Sequence, residues 1–293
     1  MPRDISGPTW RAMYSWCRRP PGRTKSGRRD SDDPVRPRAP GGRRWLWLVA
    51  LPVVWEAARL ALRPSPLVMP SSLDILRALG RGAASGDLPV RWILSLAVVS
   101  AGLTAGALGA LGLALFSRSG RAAASLLSAL SSLMHPLPGL ALLPLVILWA
   151  GIGFQAVLVI IVHAVLWPIY VNLESGMRSL APAWTLYARN LRLGRWKTFA
   201  RIVLPGTFPH LISGLRTGWA RAWRAFIAAE MVFGAVGAGG GLGWQLFESR
   251  VMMDTPALYA ALIAVMLTGM AMEELLLGRW ETRVRRKWGE AVP

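Results

Sequence analysis

A chain of 293 residues with 53% hydrophobic and 17% charged residues and a mean hydropathy of +0.39 is too apolar for ordinary soluble domains and reads as a polytopic membrane protein. Its formal charge of +19 would suit a nucleic-acid surface, but Lys and Arg fall at the chain ends and between apolar runs, so membrane topology explains them and a nucleic-acid partner is set aside. The single cysteine, Cys17, excludes a disulfide framework and any CxxC metal or redox site within the chain.

Residues 1–44 carry twelve Lys or Arg against four Asp and no apolar periodicity, the composition of a disordered basic tail. Arg18-Arg19 is not followed by an apolar run until Trp45, nor by a small-residue cleavage site, so a twin-arginine signal is set aside in favour of an over-long tail from an early start codon. From 45 to 289 the chain reads as one membrane domain, with 290–293 as its end. A span needs about 20 apolar residues, and six runs qualify: about 45–62, 90–116, 122–150, 153–173, 208–236 and 256–277. The first holds Pro52 and a Glu56/Arg59 pair at i, i+3, a spacing that lets the two charges meet on one helix face. After it, Ser71–Asp87 has Leu73, Leu76 and Leu79 at helical spacing with Ser72 as a candidate cap, which predicts an amphipathic helix on the membrane interface or packed on the spans.

Orientation follows from the cations beside the spans. The tail, "SRSGR", the segment 174–207 and the C-terminal "GRWETRVRRKWG" hold twelve, two, six and five of them, against Arg63, Arg77, Arg81, Arg91 and Arg250 on the opposite side. Both termini are therefore expected in the cytoplasm.

Within the spans, Gly102-x-x-x-Gly106 lets helix backbones approach closely in lipid, as general packing rather than a specific dimer. Pro136, Pro138 and Pro144 interrupt the third run, either as a structural kink or as an opening lined by a cavity. Glu230 lies in the apolar run "RAFIAAEMVFG" and is either a pathway group or a satisfied structural carboxylate; His163 is a weaker pathway candidate. The glycine cluster "GAVGAGGGLG", 234–243, reads as a flexible external turn. No lysine follows glycine, which excludes a P-loop. The three histidines form no HExxH motif, and no serine is flanked by the glycines of a nucleophile elbow. Neither a metal site nor an enzyme is expected.

The stretch "NLRLGRWKTFARIVLP", 190–205, stands apart. Leu193, Trp196, Phe199 and Val203 recur among Arg192, Arg195 and Arg201, predicting a basic amphipathic helix that lies on the anionic inner leaflet or inserts into a groove on a cytoplasmic partner.

The region from about 45 to 289 resembles the membrane subunits of bacterial ABC importers, in the nitrate, sulfonate and taurine permease branch. The resemblance rests on "RNLRLGRWKTFARIVLPGTFPHLISGLRTGWARAWRAFIAAEM", "LPLVILWAGIG", "VMPSSLDILRALGRGAASGD" and "VVWEAARLAL". The family pattern of Glu-Ala-Ala, then Gly, then Leu-Pro falls on Leu186-Tyr187-Ala188, Arg192 and Leu204-Pro205, so its glutamate and glycine are replaced here, although Gly194 stands two residues on. The resemblance implies an all-α, six-span permease of the type I importer kind in the bacterial inner membrane, not itself catalytic. Its coupling segment, about 174–207, would dock an ABC ATPase through Leu186, Arg189, Arg192, Gly194, Arg195, Trp196, Phe199, Arg201, Leu204 and Pro205. ATP and Mg would be bound by that ATPase, with no cofactor in this chain. An external solute-binding protein and a second permease copy complete the expected assembly, with Glu230, His163 and Pro144 as pathway candidates and nitrate, sulfonate or taurine as the type of solute. The alternative is a non-transporting membrane anchor or scaffold whose basic face binds lipid.

Overall fold

A computed structural model describes residues 43–288, with residues 181 and 238 excepted. The expected tail lies outside the described residues apart from its last two, which already belong to the first helix, and so does 290–293. Every regular element among the described residues is helical. Helix α1 is Arg43–Leu62, α2 Ser72–Ser85, α3 Asp87–Ser117, α4 Arg121–Met134, α5 Leu143–Ala150 and α6 Phe154–Ser179. After them come α7 (Pro182–Asn190), α8 (Arg195–Thr198), a π turn Phe199–Val203, α9 (Leu204–Gly206) and α10 (Phe208–Phe233). The chain ends with α11 (Leu242–Val251), α12 (Thr255–Met270), a π-helical stretch Ala271–Gly278 and α13 (Arg279–Trp288). Among the described residues three helices are long and apolar enough to cross a membrane, Asp87–Ser117, Phe154–Ser179 and the continuous Thr255–Trp288; α4 with α5 makes a fourth if the bent pair is one span. The chain is a multi-pass membrane protein. Helices α1 and α10 coincide with the other two expected runs, and α10 carries Arg216, Arg221, Arg224 and Glu230.

Helix α6 is the centre of the bundle, packed between α3 and α10. Its Ile160, Ile161, Val165 and Ile169 are wholly buried, and the neighbours meet them with glycines. A Cβ on Gly106 of α3 would fall 2.7 Å from Val165 Cγ1, and one on Gly102 would collide with Ile161. On α10, a Cβ on Gly214 would lie 3.1 Å from Ile169 Cα. In lipid, contact between close backbones rather than expulsion of water holds such helices. The Gly102/Gly106 pair is thus used within the chain, and Gly214-x-x-x-Gly218, unremarked in the sequence, does the same on the other side.

Three local expectations are revised. The third apolar run is not one kinked helix: α4 and α5 are bent by 94° about a break. Pro144 does not kink it, because it stands in the first turn of α5, where a missing N–H breaks no helical bond. Helix α2 is capped by Ser71, whose hydroxyl accepts from Asp74 N–H at 3.1 Å, while Ser72 Oγ donates to Glu56. It packs on α3 and α12 through Ile75 and Ala78, leaving Leu73 and Leu76 outward. The last run continues beyond 277 to Trp288, where Glu281 fastens α13 to α10. Its carboxylate accepts from Ser213 Oγ at 2.6 Å, Arg216 Nη1 at 3.1 Å and Arg285 Nε at 3.1 Å.

Candidate functional site

The cationic segment between α6 and α10 forms two short helices joined by a tight turn, not one helix over 190–205. Helix α7 ends at Asn190, and Arg192 takes the left-handed conformation at φ 49. Leu193 N–H donates across it to Ala188 carbonyl at 3.0 Å, the six-to-one bond of a Schellman helix ending. Glycine is favoured at the centre of that motif because a Cβ there costs about 1–2 kcal/mol. Arg192 is the position where the resemblance calls for glycine, so the turn survives the replacement and arginine holds the strained conformation. Gly194 carbonyl then accepts from Thr198 N–H at 2.9 Å, starting α8.

The expected apolar face divides. Phe199 and Val203 are buried, whereas Trp196 is 64% exposed and stacked on Phe199 with ring centroids 6.4 Å apart. Leu186 (58% exposed), Tyr187 and Leu191 also point outward, beside the exposed Arg192, Lys197 and Arg201. Leu204 is half-buried, and Pro205 sits in the first turn of α9. The side chains of Arg189 and Arg195 lie outside the described residues. The result is an outward-facing group of aromatic and aliphatic side chains with cations among them, held on a base anchored by Phe199 and Val203. In a membrane protein such exposed apolar groups are covered by lipid or by a partner.

The deep polar residues have different environments. Glu230 is wholly buried, and its carboxylate accepts from the N–H of Gly241 at 2.7 Å, Gly243 at 3.0 Å and Trp244 at 3.3 Å. It is the partner of the 234–244 loop and of the start of α11, which corresponds to the structural alternative for this residue. The loop is not a loose turn. Gly234, Gly237, Gly239 and Gly240 have positive φ, and a Cβ on Gly241 would lie 2.5 Å from Ser95 Oγ and 2.7 Å from Glu230 Oε2. At Gly241 and Gly243 the absence of a side chain is what lets the backbone approach Glu230 so closely.

His163, on α6, has both ring nitrogens buried without a partner. It borders the break between α4 and α5: a Cβ on Gly139 would lie 3.8 Å from His163 Nδ1. From α10, Arg221 Nη1 donates to His135 carbonyl at 3.1 Å, and its Nη2 lies 3.3 Å from His135 Nε2. The structure therefore brings His163 to the break but keeps Glu230 in the loop anchor. Arg221 was passed over in the sequence because it lies inside a span, outside the loops whose cations set orientation. A basic residue in the middle of an apolar helix was the available signal. Among the described residues no group of three or more His, Cys, Asp or Glu could hold a metal ion.

The pattern of the family described as "Binding-protein-dependent transport system inner membrane component" matches residues 94–286. A protein of Escherichia coli strain K12 named as a candidate aliphatic sulfonates transport permease is 29% identical, over 77% of this chain and 84% of its own length. The taurine transport system permease protein of the same strain is 26% identical, over 77% and 82%. The nitrate import permease protein of a Synechocystis strain is 26% identical, over 67% and 70%.

Proposed function

Because the chain belongs to the binding-protein-dependent transport system inner membrane component family, we propose that it is the membrane permease subunit of an ATP-driven importer for a small anionic or polar solute of the sulfonate, taurine or nitrate type. The observation that carries the reading is the family match across 94–286, supported by relatives named for those three solutes. In this reading α1, α3, the broken α4–α5 pair, α6, α10 and α12 make six spans in the bacterial inner membrane, with both termini in the cytoplasm. Two copies enclose the pathway. A solute-binding protein delivers cargo from outside, and the chemistry of ATP and Mg belongs to a separate ATPase.

The segment 182–206 is the coupling element. Trp196, Leu186, Tyr187 and Leu191 offer apolar groups to a groove, and Arg192, Lys197 and Arg201 suit an acidic rim. Phe199 and Val203 bind this segment to its own subunit, so that movement of the docked ATPase is transmitted to α10 through the short α9. Nucleotide-driven closure of the ATPase pair shifts the spans between inward and outward access because it binds the two states with different affinity.

The test is uptake into proteoliposomes that contain the permease, its ATPase and its binding protein. Accumulation of labelled taurine, methanesulfonate or nitrate that requires ATP and the binding protein is expected. A complex that hydrolyses ATP but accumulates none of the three would contradict the solute assignment.

A further inference from the structure

Helix α10 holds Arg221 and Arg224 near its middle. At 1.5 Å per residue they lie about 20 and 24 Å from the start of a helix about 39 Å long, which in the six-span reading proposed above keeps them away from the headgroup depth at either end. Isolated charges at that depth are costly unless they face water or a counter-charge. Arg221 has His135 carbonyl and Nε2. Arg224, one turn on along the same side, is exposed, and no hydrogen bond or ion pair reaches it among the described residues. The only carboxylate on α10, Glu230, is already taken by the backbone N–H groups of Gly241, Gly243 and Trp244, so no acid on the helix neutralises these arginines.

The break beside them adds donors. Because a guanidinium only donates, His135 Nε2 must accept from Arg221, which leaves the ring proton on Nδ1; that atom is buried without a partner. His163 adds another N–H, also without a partner, on the side of α6 that meets Gly139. The turn 139–142 contacts both α6 and α10. Arg221 and two imidazole N–H groups thus meet at a broken stretch of backbone, with Arg224 exposed about one turn along α10, in a bundle whose other buried side chains are mainly apolar. Buried polar groups without partners are uncommon and call for one.

We propose that the break between α4 and α5, with Arg221, Arg224, His135 and His163, is a binding station for a small oxyanion within the membrane. This rests on the permease reading and gives its solute a site and a charge. A nitrate or sulfonate group presents several acceptor oxygens and one negative charge, matching a set of donors with no free carboxylate among them. Charge-assisted bonds from guanidinium to such oxygens are the strong class of hydrogen bond.

The test uses the full-length purified chain in lipid nanodiscs without ATPase or binding protein. Its unfolding temperature is measured against increasing sodium nitrate or sodium methanesulfonate, with ionic strength held constant by sodium chloride. A ligand that binds only the folded state raises the midpoint saturably. The expected result is a saturable rise in the wild type, an apparent Kd at least about tenfold weaker in Arg224→Gln, and recovery in Arg224→Lys. Arg224→Gln is the decisive variant because it removes no hydrogen bond or ion pair among the described residues, whereas Arg221→Gln also frees His135 carbonyl. No saturable rise in the wild type, or an unchanged Kd in Arg224→Gln, overturns the proposal. Neither outcome bears on ATPase docking, and loss of ATPase docking would leave this measurement intact.

Discussion

The loop at 234–244 and the segment at 182–206 are both irregular connections flanking α10, and they treat their polar and apolar groups in opposite ways. Around Glu230 the backbone donors of Gly241, Gly243 and Trp244 converge on one enclosed carboxylate. In the 182–206 segment, Trp196, Leu186 and Leu191 are more than half exposed and Arg192 holds a strained conformation. The first region is complete within the chain. The second is anchored on one side by Phe199 and Val203 and exposed on the other, the side that the proposed ATPase docking would cover. A charged or aromatic residue in a membrane protein therefore points to function less by its type than by whether the chain itself supplies its partners.

The contrast is broken most strongly at the loop. Glu230→Ala leaves two buried backbone donors and one partly buried without an acceptor, each buried one worth about 1–3 kcal/mol, and should lower stability by about 3 kcal/mol, read as a large fall in the unfolding midpoint of the purified protein. Gly241→Ala should cost about 1–3 kcal/mol by overpacking, since its Cβ meets Ser95 and Glu230; an unchanged midpoint would mean that the loop is looser than the fold requires. Glu281→Gln tests a third junction. It weakens the link from α13 to Ser213 and Arg216 of α10 and should speed hydrogen exchange in α13, with a loss of about 1 kcal/mol for a partly exposed network.

In the 182–206 segment the expected effects on stability are smaller, and one reverses sign. Arg192→Gly relieves the left-handed conformation and should stabilise the protein by about 1 kcal/mol, measured by thermal unfolding. Destabilisation would show that the Arg192 side chain is held by contacts that outweigh its strain.

Much of this was legible in the sequence. Apolar runs located the long helices, Gly102 and Gly106 marked a close helix contact, and the 186–205 spacing carried the family resemblance. The prolines of the third run marked an interruption, but each reports only a missing donor or a fixed φ, so neither the 94° bend nor the harmless place of Pro144 could be read from them. Glu230 stood out as a charge, yet its partners are backbone N–H groups, which have no residue identity and so leave no sequence signal. The glycines from 234 to 243 suggested freedom of movement; Gly234, Gly237 and Gly239 instead supply left-handed turns and Gly240, Gly241 and Gly243 close approach, which composition does not distinguish from flexibility. Arg192 was visible as a departure, while the bond from Leu193 to Ala188 that preserves the turn depends on backbone geometry. The division of the 193–203 face falls after that turn, between Trp196 and Phe199, where α8 passes into the π turn Phe199–Val203 and a single α-helical period no longer describes the chain.

The most direct measurement is co-purification of the partner ATPase with the wild-type permease and with Trp196→Asp and Arg201→Glu. Both side chains are exposed, so each variant should unfold within about 0.5 kcal/mol of the wild type. The account predicts that both variants fold normally and lose the ATPase, together with its stimulation by the permease. Normally folded variants that retain the ATPase and stimulate it as the wild type does would contradict the docking role of 182–206.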